Sequence, residues 1–333
     1  MEVKKINIFL PVYLISYLIL NIISAFIIGI ITDAGITVPQ WILYVLGEAI
    51  MIAVALIYIL VMKIDIKRDM MYRKIGIKDI LMSVLTGYLV IPMVLFINNI
   101  TMLFSNNYLN ESSEGLMAYP YIIQVILMAV IPPLVEEFVF RGLFYGTYRK
   151  YGILKAAVMS GLVFGVFHLN INQFAYAFVI GVVFSYMVEA TGSIWSSVFG
   201  HFAVNTYSIT VVQILKLCGL YDGMMAEPAG QQAVNIPVAS RIMSFLMLFI
   251  VAFIFMLFAV LCIKNMAKRN ARLDNIKNSF HIHGSEYDMN DAMQQEDITE
   301  QKTLSAGWHI MTAPAAVTLI ACAFYMIVME IIR

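Results

Sequence analysis

The sequence predicts an all-α fold: a polytopic transmembrane helix bundle of about eight or nine spans, with an active site between its motif-bearing helices. Three observations lead there. Of 333 residues, 61% are hydrophobic and only 13% charged, with a mean hydropathy of +0.85. A soluble domain carries roughly twice that charge fraction. The apolar residues gather in long runs, many near the ~20 residues that cross hydrocarbon as a helix. The basic residues, finally, fall in alternate connecting loops.

Taken in order, the first run is Ile6–Ile31, preceded by Lys4 and Lys5. It is too long for the apolar part of a signal peptide and reads as a retained span. Trp41–Met62, Ile80–Phe104 and Tyr121–Tyr145 follow at spanning length. Ala156–Leu169 and Phe174–Glu189 are shorter and separated only by Asn170-Ile171-Asn172-Gln173, which predicts a tight hairpin or partly submerged helices. Ser193–Leu217, Arg241–Ile263 and Ile310–Ile332 complete a count of nine, with eight as the alternative. The expected organisation is amino-terminal spans over 1–119, a catalytic core over 120–217, a further core helix within 218–264, a polar cytoplasmic loop over 265–309 and a last span over 310–333.

Loop charge orients the bundle. Lys63, Lys67, Arg68, Arg73, Lys74 and Lys78 lie between the second and third runs; Arg149, Lys150 and Lys155 follow the fourth. Lys264, Lys268, Arg269, Arg272 and Lys277 follow the eighth, whereas the alternate loops carry Asp33, Glu111, Glu114, Asp222 and Glu227. The positive-inside rule therefore predicts a cytoplasmic amino terminus and, with nine spans, an external carboxyl terminus. Net charge is +0, which gives no basic surface for nucleic acid. Cys218, Cys262 and Cys322 form no CxxC pair or disulfide framework and read as small apolar helix residues. The stretch Asn265–Gly307 is polar and predicts weak or local structure; its His281 and His283 lack the partners of a metal site.

Six polar residues interrupt the apolar runs: Glu136, Glu137, Arg141, His168, His201 and Asn205. Ionisable groups cost several kcal/mol in hydrocarbon, so inside a span they are candidates for function. Pro132 and Pro133 precede the glutamates and should kink or restart that helix, leaving the carboxylates in its first turn or so. Glu137 and Arg141, spaced i, i+4, can pair across one turn. Glu136, about 100° away, is left to face another helix. That division makes Glu136 the candidate base and Glu137–Arg141 its support; a purely structural ion cluster is the rival reading. His201 and Asn205 share a helix face at i, i+4 and can offer two donors to a developing oxyanion, or simply join two helices.

Depth favours a common site. At the helical rise, Glu136 lies about 13 Å from the inner end of its run, His168 about 18 Å, and His201 and Asn205 about 12 and 18 Å. Gly142 with Gly146, and Gly161 with Gly165, show the small-xxx-small spacing that lets membrane helices approach closely. Glu48, near the outer end of the second run, and Glu189 and Glu330, near span ends, are each expected to snorkel or meet a solvated rim; of the three, only Glu48 has cavity lining as an alternative.

Together the motifs resemble those of the CAAX-protease and bacteriocin-processing (CPBP, or Abi) intramembrane endopeptidases. EExxxR stands as Glu136-Glu137-Phe138-Val139-Phe140-Arg141, FxxxH as Phe164 to His168 and HxxxN as His201 to Asn205. They occur in that order within Tyr121–Leu217. The resemblance implies a glutamate-dependent membrane protease with no catalytic metal or other cofactor. In it, Glu136 with His168 activates water, His201 and Asn205 support the oxyanion, and Glu137 and Arg141 organise the site. It implies a bilayer partner and a peptide or protein substrate, prenylated or otherwise membrane-associated, or a role in bacteriocin maturation or self-immunity. A prokaryotic plasma membrane is the expected location. Two rivals remain at this level. One is a zinc enzyme using Glu136, His168 and His201, although H-E-x-x-H spacing is absent. The other is a transporter or non-catalytic immunity protein using the same buried polar groups.

Overall fold

A computed structural model describes residues 2–105, 115–220, 238–278 and 310–332. Among these residues there are helices and turns and no strand. Nine apolar helices run in chain order: α1 (Val3–Asp33), α2 (Gln40–Val61), α3 (Ile77–Thr101), α4 (Tyr121–Tyr151), α5 (Ile153–Val166), α6 (Ile171–Thr191), α7 (Trp195–Leu217), α8 (Val238–Arg269) and α9 (Ala313–Ile332). Eight of them are long and apolar enough to cross a membrane. The expected ninth, α5, has 14 residues. At about 1.5 Å per residue it falls short of a hydrocarbon core about 30 Å thick. The chain is a multi-span membrane protein built as a helical bundle.

α5 and α6 form the hairpin that their short separation predicts, and no other helix pair packs more extensively. Asn170 caps α6, its side chain accepting from the Gln173 backbone N–H at 3.1 Å. Glycines bring the two helices into backbone contact: a Cβ on Gly181 would lie 2.7 Å from the Gly161 Cα. The apolar pairing here depends on absent side chains, as small residues permit in a membrane.

The prolines of α4 act differently from expectation. The helix does not break. Pro132 and Pro133 lie in the first turn of an α-helical stretch, Ile131–Glu137, where a missing N–H costs little. Wider π-helical turns, Val125–Val130 and Phe138–Tyr145, flank that stretch and absorb the change of register. The two glutamates therefore lie at its far end rather than in its first turn.

α1 is anchored by its amino-terminal half. Asn7, fully buried, donates to the Ile310 carbonyl at 2.8 Å and accepts from the Tyr148 hydroxyl at 2.7 Å. Tyr13 donates to the Met51 carbonyl of α2 at 3.1 Å and lies 5.0 Å, ring to ring, from Phe167. Past Leu14 the helix is largely exposed, an apolar face suited to lipid.

Several basic segments meet at one end of the bundle. The Ile194 N–H donates to the Met71 carbonyl at 3.1 Å, and the Ser193 hydroxyl bonds the Arg73 carbonyl, so the α2–α3 loop is tied to the α6–α7 turn. Glu189, at the end of α6, does not snorkel. Its side chain is wholly buried, with Arg149 at 3.0 Å, Arg272 at 2.6 Å and the Tyr145 hydroxyl donating at 3.1 Å. Two guanidiniums at hand make burial cheaper than a path to water. Arg272 follows α8, which runs on through Arg269 into what the sequence reads as a polar loop, and a six-residue helix, Leu273–Asn278, comes next. His281, His283 and the rest of that loop lie outside the described residues, as do Glu111, Glu114, Asp222 and Glu227.

Candidate active site

The site is assembled from α4, α7 and the turn closing α5. Glu137 and Arg141 pair as their spacing predicts, with Nη1 2.9 Å from Oε1 and both side chains fully buried. The guanidinium carbon also sits 4.3 Å above the Phe164 ring and 5.5 Å from the Phe184 ring. Aromatic faces stabilise a cation that hydrocarbon would otherwise penalise. Gly181 leaves it room, since a Cβ there would approach Nη2 to 3.1 Å.

The same Glu137 Oε1 lies 2.9 Å from His201 Nδ1. A carboxylate accepts, so Nδ1 carries the proton and the ring is fixed in orientation. His201 Nε2 then points towards Glu136, whose Oε2 is 3.8 Å away. The glutamates are thereby separated by environment: the Glu137 side chain is 0% exposed and that of Glu136 is 16% exposed. Only the second can meet water.

His168 is not within α5. The helix ends at Val166, and His168 sits in the turn to α6, followed by Leu169 with φ of +50°. A non-glycine residue in the left-handed region is uncommon and strained. His168 Nδ1 lies 2.9 Å from the Phe164 carbonyl, which can only accept; the neutral ring therefore presents Nε2 as an acceptor. Both imidazoles pack edge-to-face with Phe164, His168 at 5.0 Å and His201 at 5.9 Å ring to ring. Glu136 approaches His201, and Phe164 links that imidazole to His168.

Asn205 shares the His201 face as its spacing requires. Its amide donates to the Met128 carbonyl at 2.9 Å, within the first π-helical turn of α4, leaving one amide hydrogen for another acceptor. Among the described residues no three His, Cys, Asp or Glu side chains are grouped to hold a metal ion.

Sequence reasoning missed the parts that come from neighbouring helices. Phe164 was visible only as the first letter of FxxxH, with nothing to mark it as the seat of Arg141. The Met128 carbonyl carries no side-chain signal at all.

Residues 118–207 match the family model described as type II CAAX prenyl endopeptidase Rce1-like. The motif-bearing segment is Rce1-like. It holds all six polar residues of the site. The "Putative membrane peptidase YdiL" of Bacillus subtilis (strain 168) is 26% identical over 112 residues, 32% of this chain. The chain spans less than half, 46%, of that relative's length. No solved structure matches. Outside the Rce1-like segment lie α1, α2, α3, α8 and α9, including the helices that hold Asn7 and Glu48.

Proposed function

We propose that this protein is an intramembrane endopeptidase, CAAX-protease-like, that hydrolyses a peptide bond with a glutamate-activated water. The observation that carries the reading is the Glu136–His201 approach of 3.8 Å, backed by the buried Glu137–Arg141 pair, inside the Rce1-like segment. Glu136 takes a proton from water held also by the acceptor Nε2 of His168. The resulting hydroxide adds to the substrate carbonyl. His201 in its protonated form, with its second N–H, and the remaining amide hydrogen of Asn205 stabilise the oxyanion. Collapse expels the amine, which receives the proton from Glu136. Glu137 holds the imidazole and Arg141 holds Glu137.

The substrate proposed is a membrane-associated or prenylated polypeptide, taken from a plasma membrane in which the amino terminus is cytoplasmic. The gathering of basic loops with the α6–α7 turn at one end of the bundle supports that orientation. Comparing peptide termini in cells with wild type and Glu136→Gln tests the reading. New termini should vanish in the variant while the protein still inserts; full cleavage by the variant would end it. Activity retained after exhaustive chelation separates the glutamic mechanism from a zinc-dependent one. A purified protein that moves solute and cuts no peptide would favour the transporter reading.

A further inference from the structure

α3 lies outside the Rce1-like segment, yet it packs along both α6 and α7, and each contact falls close to a histidine. The first is at Gly87. A Cβ there would collide with the carbonyl oxygen of Gly200, the residue before His201, and would lie 2.8 Å from the Ala203 Cβ. Towards α6, a Cβ on Gly200 would come within 2.8 Å of the Met187 Cε and 3.3 Å of the Phe184 ring. The Phe184 ring in turn lies 5.5 Å from that of His201. α7 therefore meets α3 and α6 with no slack at the turn that bears His201. Interiors packed this closely transmit a displacement rather than absorb it.

The second contact is a hydrogen bond. Asn172, in the first turn of α6 and buried, donates to the Thr101 hydroxyl at the end of α3 at 2.8 Å. That hydroxyl's own proton is directed at the Asn98 and Ile97 carbonyls, at 3.0 and 3.1 Å, so its oxygen is left to accept. The Asn172 amide also reaches the Asn98 carbonyl, at 3.5 Å. Four residues earlier stands His168, in a link shaped by left-handed Leu169 and by the Asn170 cap. A strained conformation of this kind persists only where the surroundings over-determine it. The Thr101–Asn172 bond fixes the end of the link that enters α6, and breaking it would strand a buried amide.

We propose that α3 supplies positioning residues for both imidazoles: Gly87 sets the seat of His201, and Thr101, through Asn172, sets that of His168. The inference rests on the peptidase reading for its consequence. The ring that holds the water and the ring that faces the oxyanion are both aimed by a helix from outside the Rce1-like segment.

The test reads the rings themselves, by solid-state NMR of the full chain in liposomes with isotope-labelled histidine nitrogens. The Nδ1–H signals of His168, bonded to the Phe164 carbonyl, and of His201, bonded to Glu137, are assigned by replacing each histidine in turn. Thr101→Val, which keeps the shape and loses the acceptor, should shift the His168 signals and leave those of His201 in place. Thr101→Ser, which keeps the hydroxyl, should return the His168 signals to their wild-type positions. Gly87→Ala should do the converse of Thr101→Val, shifting His201 and sparing His168. A general loosening would move both rings in both variants, and that result overturns the proposal. So does a ring that stays fixed in its own variant, or a Thr101→Ser spectrum that matches Thr101→Val. If Gly87→Ala does not insert, the contrast between the two Thr101 variants decides alone. Because no peptide substrate is needed, a failed positioning role and a failed peptidase assignment are told apart.

Discussion

Arg141 has no exposed surface, and its charge is met by one carboxylate oxygen and two aromatic faces. Its Nε and Nη2 atoms have no hydrogen-bond partner among the described residues, so the pairing with Glu137 carries most of its stabilisation. Removing one member of a buried ion pair leaves an uncompensated charge and costs about 3–5 kcal/mol. Glu137→Gln should accordingly lower the thermal midpoint in detergent as well as activity. Arg141→Lys should not restore either, because an ammonium lacks the planar face that stacks on Phe164. Glu136→Gln belongs to a different category. Its side chain is 16% exposed and its contact with His201 is long, at 3.8 Å, so cleavage should be lost with little change in thermal midpoint. Should Glu136→Gln unfold the bundle as badly as Glu137→Gln, the separation of roles between the two glutamates fails.

At the scale of elements, the α5–α6 hairpin and the π-helical turns of α4 determine where these side chains point. Gly181 serves two contacts at once, the Gly161 backbone and the Arg141 guanidinium. Gly181→Ala should therefore destabilise the bundle by about 1–3 kcal/mol, as overpacking does. Gly142→Ala should cost less, since the one atom its Cβ would crowd is the terminal methyl of the flexible Met70 side chain, at 2.7 Å, with Met70 Cβ and the Glu137 carbonyl at ordinary contact distances. Equal loss of thermal stability in the two variants would contradict this account of the hairpin. The glycine spacing was legible in the sequence, and so was the i, i+4 pairing of Glu137 with Arg141. The response to Pro132 and Pro133 was not. Proline removes a donor, and the sequence does not reveal whether the helix pays by breaking or by widening into π-helical turns. His168 was misplaced for a related reason: nothing in Phe167-His168-Leu169 marks the end of a helix, because Leu169 takes a left-handed conformation that glycine or asparagine would advertise.

Across the whole molecule, the Rce1-like segment is held at its basic end by Glu189, on which Arg149 of α4 and Arg272 beyond α8 converge. Replacing both arginines by alanine should cost more than the sum of the single replacements. Each alone leaves Glu189 one guanidinium beside the Tyr145 hydroxyl, whereas the double change leaves a buried carboxylate with no counter-charge. Thermal unfolding of the two single variants and the double variant checks this; simple additivity would mean the two contacts are independent. The helical bundle was readable from composition, because hydrocarbon thickness acts on the sequence directly. The count of nine spans was one more than the eight helices of spanning length, since α5 stops at 14 residues. The Glu189 clamp was not readable at all. A carboxylate near a span end reads as one that escapes to water, and only the folded chain brings two distant arginines to it.

The placement of Glu137 and Arg141 within a single turn also bears on how such a chain can be made. Opposite charges four residues apart leave the ribosome almost together, on one nascent span. That span can present an internally neutralised pair to the translocon before α7 and His201 have been synthesised. Had the counter-ion of Arg141 resided on a later helix, a naked guanidinium would have waited in lipid for its partner to emerge.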